Sequence, residues 1–182
     1  MTMPRDYENQ SPTAFQRLPE NTRDEDWIKD LLQHGNIARI ASRFDVQPFI
    51  NTSTFFYDET NQRIIFHSNI AGRVRANIQK YPEVCVEVSE FGKLLPSNIA
   101  LEFSLQYRSV LVFGKAYLIE DEFEKKQVLH QLIDKYFGDM QIDQDYRSAT
   151  DKELKRTSVY EIKIESWSGK ENWKDMTDQS DE

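Results

Sequence analysis

A chain of 182 residues can hold one domain with a full core but not two comfortable ones. Hydrophobic residues at 38% and aromatics at 12%, with only six Gly and six Pro, exclude a disordered or fibrous chain. A formal charge of −8 with no long Lys/Arg block repels a nucleic-acid backbone over most of the surface, so any phosphate ligand must be small and enclosed.

Residues 1–20 are polar, contain Pro4, Pro12 and Pro19, and show no period; they read as an N-terminal arm that orders only by docking. Arg5, Asp6 and Glu8 stand where a secretory signal needs an apolar run, and no stretch approaches a membrane span, so no membrane association and a cytoplasmic location are expected. The folded domain is expected over residues 21–170. Thr22 followed by Glu25 resembles a capping box, and Trp27, Ile28, Leu31 and Leu32 form the apolar stripe of a first helix ending at Gly35. Strands are expected over Ile37–Arg43, Pro48–Tyr57 and Arg63–Ser68, joined by the polar connectors DVQ and DETNQ, and links this short imply antiparallel hairpins.

Ala71–Lys80 places Val74, Ile78 and Tyr81 on one helical face, and Pro82 stops the helix. Val84, Val86 and Val88 then alternate with polar residues as in a half-buried strand. Cys85 packs there as a small hydrophobe, and a lone cysteine allows neither an intrachain disulfide nor a thiolate metal cluster. No metal site is expected. A loop is expected over 91–99, then a long strand in YRSVLVFGKAYLI that bends at Gly114. Asp121 and Glu124 cap a helix with apolar positions Val128, Leu129, Leu132, Ile133, Tyr136 and Phe137, ended by Gly138. Residues 139–156 form a polar excursion with a short helix near Asp151–Arg156, and Thr157–Trp167 is the last strand. Residues 171–182 read as a mobile acidic tail in which Trp173 can anchor part. Six or seven strands, helices at the start, middle and late positions, and no regular strand–helix alternation predict an α+β fold, mainly β: a small antiparallel barrel with peripheral helices.

The stretch FHSNIAGRVRANI (66–78) raises the functional question. A strand ends at His67 and Ser68, then passes through Gly72 into a helix whose first turn carries Arg73 and Arg75. The residues alone leave two readings open. One is a solvated strand-to-helix turn with surface arginines. The other is a phosphate cradle, in which free helix N–H groups, an open glycine and guanidinium groups hold an anion.

Four segments taken in order decide between them: PFINTSTFFYD (48–58), IIFHSNIAGR (64–73), LQYRSVLVFGKA (105–116) and TSVYEIKIESWSGK (157–170). Over roughly Arg17–Lys170 the chain resembles the pyridoxamine 5′-phosphate oxidase-like FMN-binding proteins, in particular the branch named for 5-nitroimidazole resistance. The resemblance implies a split β-barrel that forms a homodimer and holds FMN in two clefts between subunits, with FAD compatible. By position it implies Asn51, Thr52 and Ser53 along the flavin ring, His67 and Ser68 beside the ring and ribityl chain, and Gly72 and Arg73 at the phosphate. Ser109 would reach the ring, and Lys170 would be a basic group near the cofactor. Val74 stands where many relatives carry lysine, and Arg75 is the candidate to supply that charge. Thr52 stands where the resistance-like branch often has proline.

The activity that the resemblance implies is that of an oxidoreductase passing hydride from a donor such as NAD(P)H to a small planar acceptor, a nitroimidazole being the implied example, with His67 as the proton-transferring residue. Two alternatives stay open: a flavin-binding or storage protein without turnover, and a haem-binding split barrel with His67 or His130 on the iron.

Overall fold

The computed structural model describes residues 7–179; the expectations for residues 1–6 of the arm and 180–182 of the tail lie outside the described residues. The elements are β1 (Thr22–Arg23), α1 (Glu25–His34), β2 (Ala38–Phe44), β3 (Gln47–Ser53), β4 (Phe56–Asp58), β5 (Arg63–Asn69), α2 (Arg73–Lys80), β6 (Glu83–Leu95), β7 (Ser104–Leu118), α3 (Glu122–Phe137), α4 (Asp151–Leu154) and β8 (Thr157–Asn172). All eight strands belong to one antiparallel sheet in the order β3-β2-β6-β7-β8-β5-β4, with β1 attached to β8.

The two ends of that order, β3 and β4, are consecutive in the chain and separated only by Thr54 and Phe55. A link of two residues cannot span a flat sheet of seven strands about 4.8 Å apart, so the sheet must curl until its edges approach. The result is a split barrel in an α+β fold, as the sequence predicts. Inside it, Ile40, Val86, Val88, Val110, Val112 and Ile162 alternate with outward residues, and the rings of Phe66 and Tyr160 stack 4.7 Å apart. A smaller cluster of Ile65, Ile119, Val128 and Val159 seals α3 against the outside of β5 and β8.

Several boundaries differ from expectation, each for a local reason. Thr22 does not cap α1. It pairs with Lys170 in β1, and Asp24 is the cap, its Oδ1 accepting from the Trp27 N–H at 3.0 Å. The strand expected over 48–57 is broken at Thr54–Phe55, because the Tyr136 hydroxyl of α3 accepts from the Phe55 N–H (3.0 Å) and lies 3.1 Å from its carbonyl, withdrawing that residue from the ladder. The expected loop at 91–99 is a strand as far as Leu95: β6 and β7 continue as a long hairpin past a bulge between Phe91 and Leu94. The bend at Gly114 is real, and β8 carries an extra residue opposite it. A side chain at Gly114 would collide with the Lys163 carbonyl, so only glycine lets the strands close there.

Asp121 caps α3 by accepting from the Glu124 N–H, but of the six expected apolar positions only Val128 and Leu132 are fully buried, and Phe137 is exposed. The helix rests on the sheet along a narrow seam. The described part of the tail is held rather than mobile. β8 runs to Asn172, the Arg108 guanidinium lies 4.4 Å from the Trp173 ring centre, and Ser97 Oγ donates to the Asp178 carbonyl at 2.7 Å. Among the described residues, no helix is long and apolar enough to cross a membrane.

Candidate functional site

α2 differs from the other α-helices at its N-terminus. Asp24, Asp121 and Thr150 each cap a helix with a side-chain oxygen, whereas Gly72 at the start of α2 offers none, and no acidic residue occupies the first turn. Gly72 has φ 152°, which L side chains rarely adopt, and a Cβ placed there would meet nothing within 4 Å. The glycine is required by conformation and opens onto free space. The Ala71 N–H turns back to Asn69 Oδ1 (3.0 Å), and the first helical bond runs from the Ala76 N–H to the Gly72 carbonyl. The N–H groups that begin the helix therefore face outward, where the helix dipole favours an anion.

Arg73 and Arg75 leave this turn in different directions. The Arg73 guanidinium stacks on Phe44 of β2, 4.5 Å from the ring centre, beside the tip of the β2–β3 hairpin. Arg75 points the other way and donates to Ser158 Oγ of β8 at 2.9 Å. The structure does not bring the two arginines onto one ligand.

His67 and Ser68 end β5 just before this turn. His67 pairs with Val159 and faces the outside of the barrel; Ser68 pairs with Ser158 on the inner side and donates to the Asn69 carbonyl at 3.1 Å. The His67 ring is open to solvent on one side, while the protein on its other side desolvates it and lowers its pKa below the ordinary 6.5. The imidazole is neutral at pH 7 and accepts a proton before it donates one. Asn51, Thr52 and Ser53 lie on β3, whose outer edge is free, and Ser53 Oγ donates to the Thr54 carbonyl at 2.9 Å.

Ser109 and Lys170 lie elsewhere. They face each other across β7 and β8, beside Ser89, which accepts from Arg39. Ser109 Oγ is buried and has no hydrogen-bond partner among the described residues, an orphan hydroxyl that a ligand atom would satisfy. Lys170 Nζ lies 5.5 Å from the Tyr107 ring centre. Along β8, Lys170 is eleven residues from Val159, the partner of His67, which is roughly 36 Å of strand. The expected site residues thus fall into two groups: His67, Ser68, Gly72 and Arg73 at the β5–α2 turn, and Ser109 and Lys170 on the outer face of β7 and β8, to which Thr52 of β3 is linked through its β2 partner Arg39 and Ser89.

A cavity of about 820 Å³ belongs to neither group. It is lined by Asp58, Arg63, Glu124 and His130 among others, and its one arginine is already claimed by Glu124 (2.6 Å), Asp58 (2.9 Å) and Glu161 (3.0 Å). Burial pulls the Arg63 guanidinium down, and the three carboxylates more than reverse it, holding it above its ordinary value. Such a cavity has no cation to give to a phosphate. His130 Nε2 lies 3.2 Å from Ser148 Oγ there, among charged neighbours. Among the described residues, no cluster of three or more His, Cys, Asp or Glu is placed to hold a metal ion.

A family model described as pyridoxamine 5′-phosphate oxidase matches residues 24–171, which takes in the barrel, α2 and both groups of site residues. This chain belongs to the pyridoxamine 5′-phosphate oxidase family. Solved structures repeat its fold at low identity. The flavocytochrome Anf3 from Azotobacter vinelandii superposes with a TM-score of 0.80 at 22% identity, covering 94% of this chain and 78% of its own. The FAD and heme binding protein from Mycobacterium smegmatis gives 0.74 at 21% identity over 87% and 75%. A candidate 5-nitroimidazole antibiotic resistance protein from Bacteroides thetaiotaomicron gives 0.67 at 21% over 81% and 84%. No curated protein matches the chain in sequence.

Proposed function

We propose that the chain is a flavin-binding oxidoreductase that holds the flavin phosphate at the start of α2. One observation carries the reading: an uncapped helix N-terminus, opened by Gly72 and flanked by Arg73, stands at the end of the strand that presents His67 and Ser68. The family membership and the FAD-binding relatives support it. Arg73 binds the phosphate beside the helix N–H groups, while Asn51, Thr52 and Ser53 on the free edge of β3 and the orphan hydroxyl of Ser109 bind the ring system. When bound, the flavin supplies hydride transfer between a reductant such as NAD(P)H and a small planar acceptor, nitroimidazoles being the class suggested by one relative. His67, neutral at pH 7, holds or receives a proton at an imidazole nitrogen beside that exchange.

Roughly 36 Å measured along β8 separates the two groups within a single chain, which favours a site shared between copies. The complete site therefore takes its α2 half from one copy and its β7–β8 half from a second, in a homodimer. The contact surface is apolar: Phe91 and Leu94 on the long hairpin, with Leu101 and Phe103 at its tip, are all strongly exposed in the single chain.

The test is purification followed by an absorption spectrum, with release and mass determination of the chromophore to separate FMN from FAD. A colourless protein that takes up neither compound overturns the proposal. Incubation with excess NADH and NADPH plus a nitroimidazole separates an oxidoreductase from a storage protein: flavin that stays oxidised, with no nitro compound consumed, leaves binding alone.

A further inference from the structure

On the side of α2 away from Arg73, a basic cavity opens. It has a volume of about 230 Å³, room for more than one water but below the range of pockets that hold drug-sized ligands. Arg75, Lys125 and Lys155 line it, with the exposed Glu120 as the acid present and with the buried Ser158 at its wall. The three cations come from three different elements: α2, α3 and the end of α4. Arg75 is held in place by its bond to Ser158 Oγ, and the walls are fixed by backbone bonds from the Ile70 N–H to the Arg156 carbonyl (3.1 Å) and from the Ile119 N–H to the Val159 carbonyl (2.9 Å).

Charge makes this arrangement unexpected. The chain has 31 acidic residues against 23 Lys and Arg, and many of its cations pair with carboxylates. None of Arg75, Lys125 and Lys155 has a salt bridge among the described residues. Three cations against one acid leave a local charge of +2 in a chain of −8, beside the apolar side chains of Ile119 and Leu154. Like charges held at one fixed cavity repel one another, and an anion seated among them would relieve that repulsion.

We propose that this cavity is an anion site for a small phosphate group, separate from the flavin. The two arginines of one helical turn then serve two ligands, Arg73 on the β2 side and Arg75 on the β8 side. The phosphate is either inorganic or the terminal group of a small phosphomonoester, since the charge and volume suit both.

Calorimetric titration of the full-length protein with inorganic phosphate, with glycerol phosphate and with chloride at matched ionic strength tests this. Saturable binding of a phosphate compound at millimolar concentration is expected, with none for chloride, and the tighter of the two phosphate compounds identifies the source. The double variant Lys125→Gln/Lys155→Gln should bind roughly tenfold or more weakly, and Lys125→Arg/Lys155→Arg should retain binding. A thermal melt checks that each variant folds. No saturation by either compound, unchanged affinity in the glutamine variant, or displacement of flavin by phosphate would each overturn the proposal. Phosphate binding in a chain that takes no flavin overturns the flavin reading alone.

Discussion

Residues two positions apart on a helix are turned about 200° from one another, which is why Arg73 reaches Phe44 on β2 and Arg75 reaches Ser158 on β8. With Val74 buried between them, Arg73 is left as the cation beside the open end of α2. Replacing Arg73 with alanine should weaken flavin binding by about 10- to 100-fold, from the loss of roughly 1.5–3 kcal/mol of charge-assisted hydrogen bonding. Titration by quenching of flavin fluorescence reads this directly, and an unchanged dissociation constant would move the phosphate elsewhere. His67 makes a different prediction. Burial lowers its pKa, so the protonated imidazole is scarce at neutral pH and accumulates only as pH falls below 6.5. If His67 delivers a proton to the acceptor, turnover should rise on the acid side, and the rise should vanish in His67→Gln. Identical pH profiles for the two proteins would remove His67 from the chemistry. The sequence made these residues legible because Gly72 and the arginines form a local pattern. The Ser158 partner of Arg75 was not legible, since 83 residues separate the two.

At the scale of elements, α3 governs the break between β3 and β4. The Tyr136 hydroxyl lies 2.7 Å from the Asn36 carbonyl and accepts from the Phe55 N–H, and the Lys135 ammonium sits 3.7 Å above the centre of the Phe55 ring. Tyr136→Phe leaves the buried Phe55 N–H without that partner and should cost about 1–3 kcal/mol, measured as a lower urea midpoint with unchanged slope. An unchanged midpoint would mean that water replaces the hydroxyl. Lys135 is pushed by burial from its ordinary 10.5 down to about 8. Between those values the unfolded chain holds more protons than the folded one, so stability should increase with pH from about 8 to 10.5; below about 8 the cost of burying the charge is fully present. Lys135→Met should flatten that slope in denaturation series across the window. A single run of alternating residues from Pro48 to Tyr57 could not reveal the interruption, because its cause is a side chain 81 residues away. Strand and helix interiors, set by local periodicity, were legible; the ends, set by tertiary partners such as Lys170 for Thr22, were not.

For the whole molecule, the proposed site exists only if two copies meet. Light scattering on the purified protein should give the mass of a dimer, and Leu101→Asp/Phe103→Asp should yield a folded monomer that has lost most of its flavin. A monomer that keeps full flavin affinity would place the whole site in one chain and contradict the separation along β8. The family was legible in sequence because its four segments keep their order, and the barrel followed from short links between strands. That the segments fall into two distant groups was not legible, since it depends on how β8 runs across the sheet. The curl of that sheet also bears on solubility. β3 and β4 stand at the two ends of the strand order, and the short Thr54–Phe55 tether keeps those ends turned toward one another. The outer side of β3 stays open, with Phe49 and Ile50 exposed beside it, so this hem is the place where a foreign strand would be stitched on.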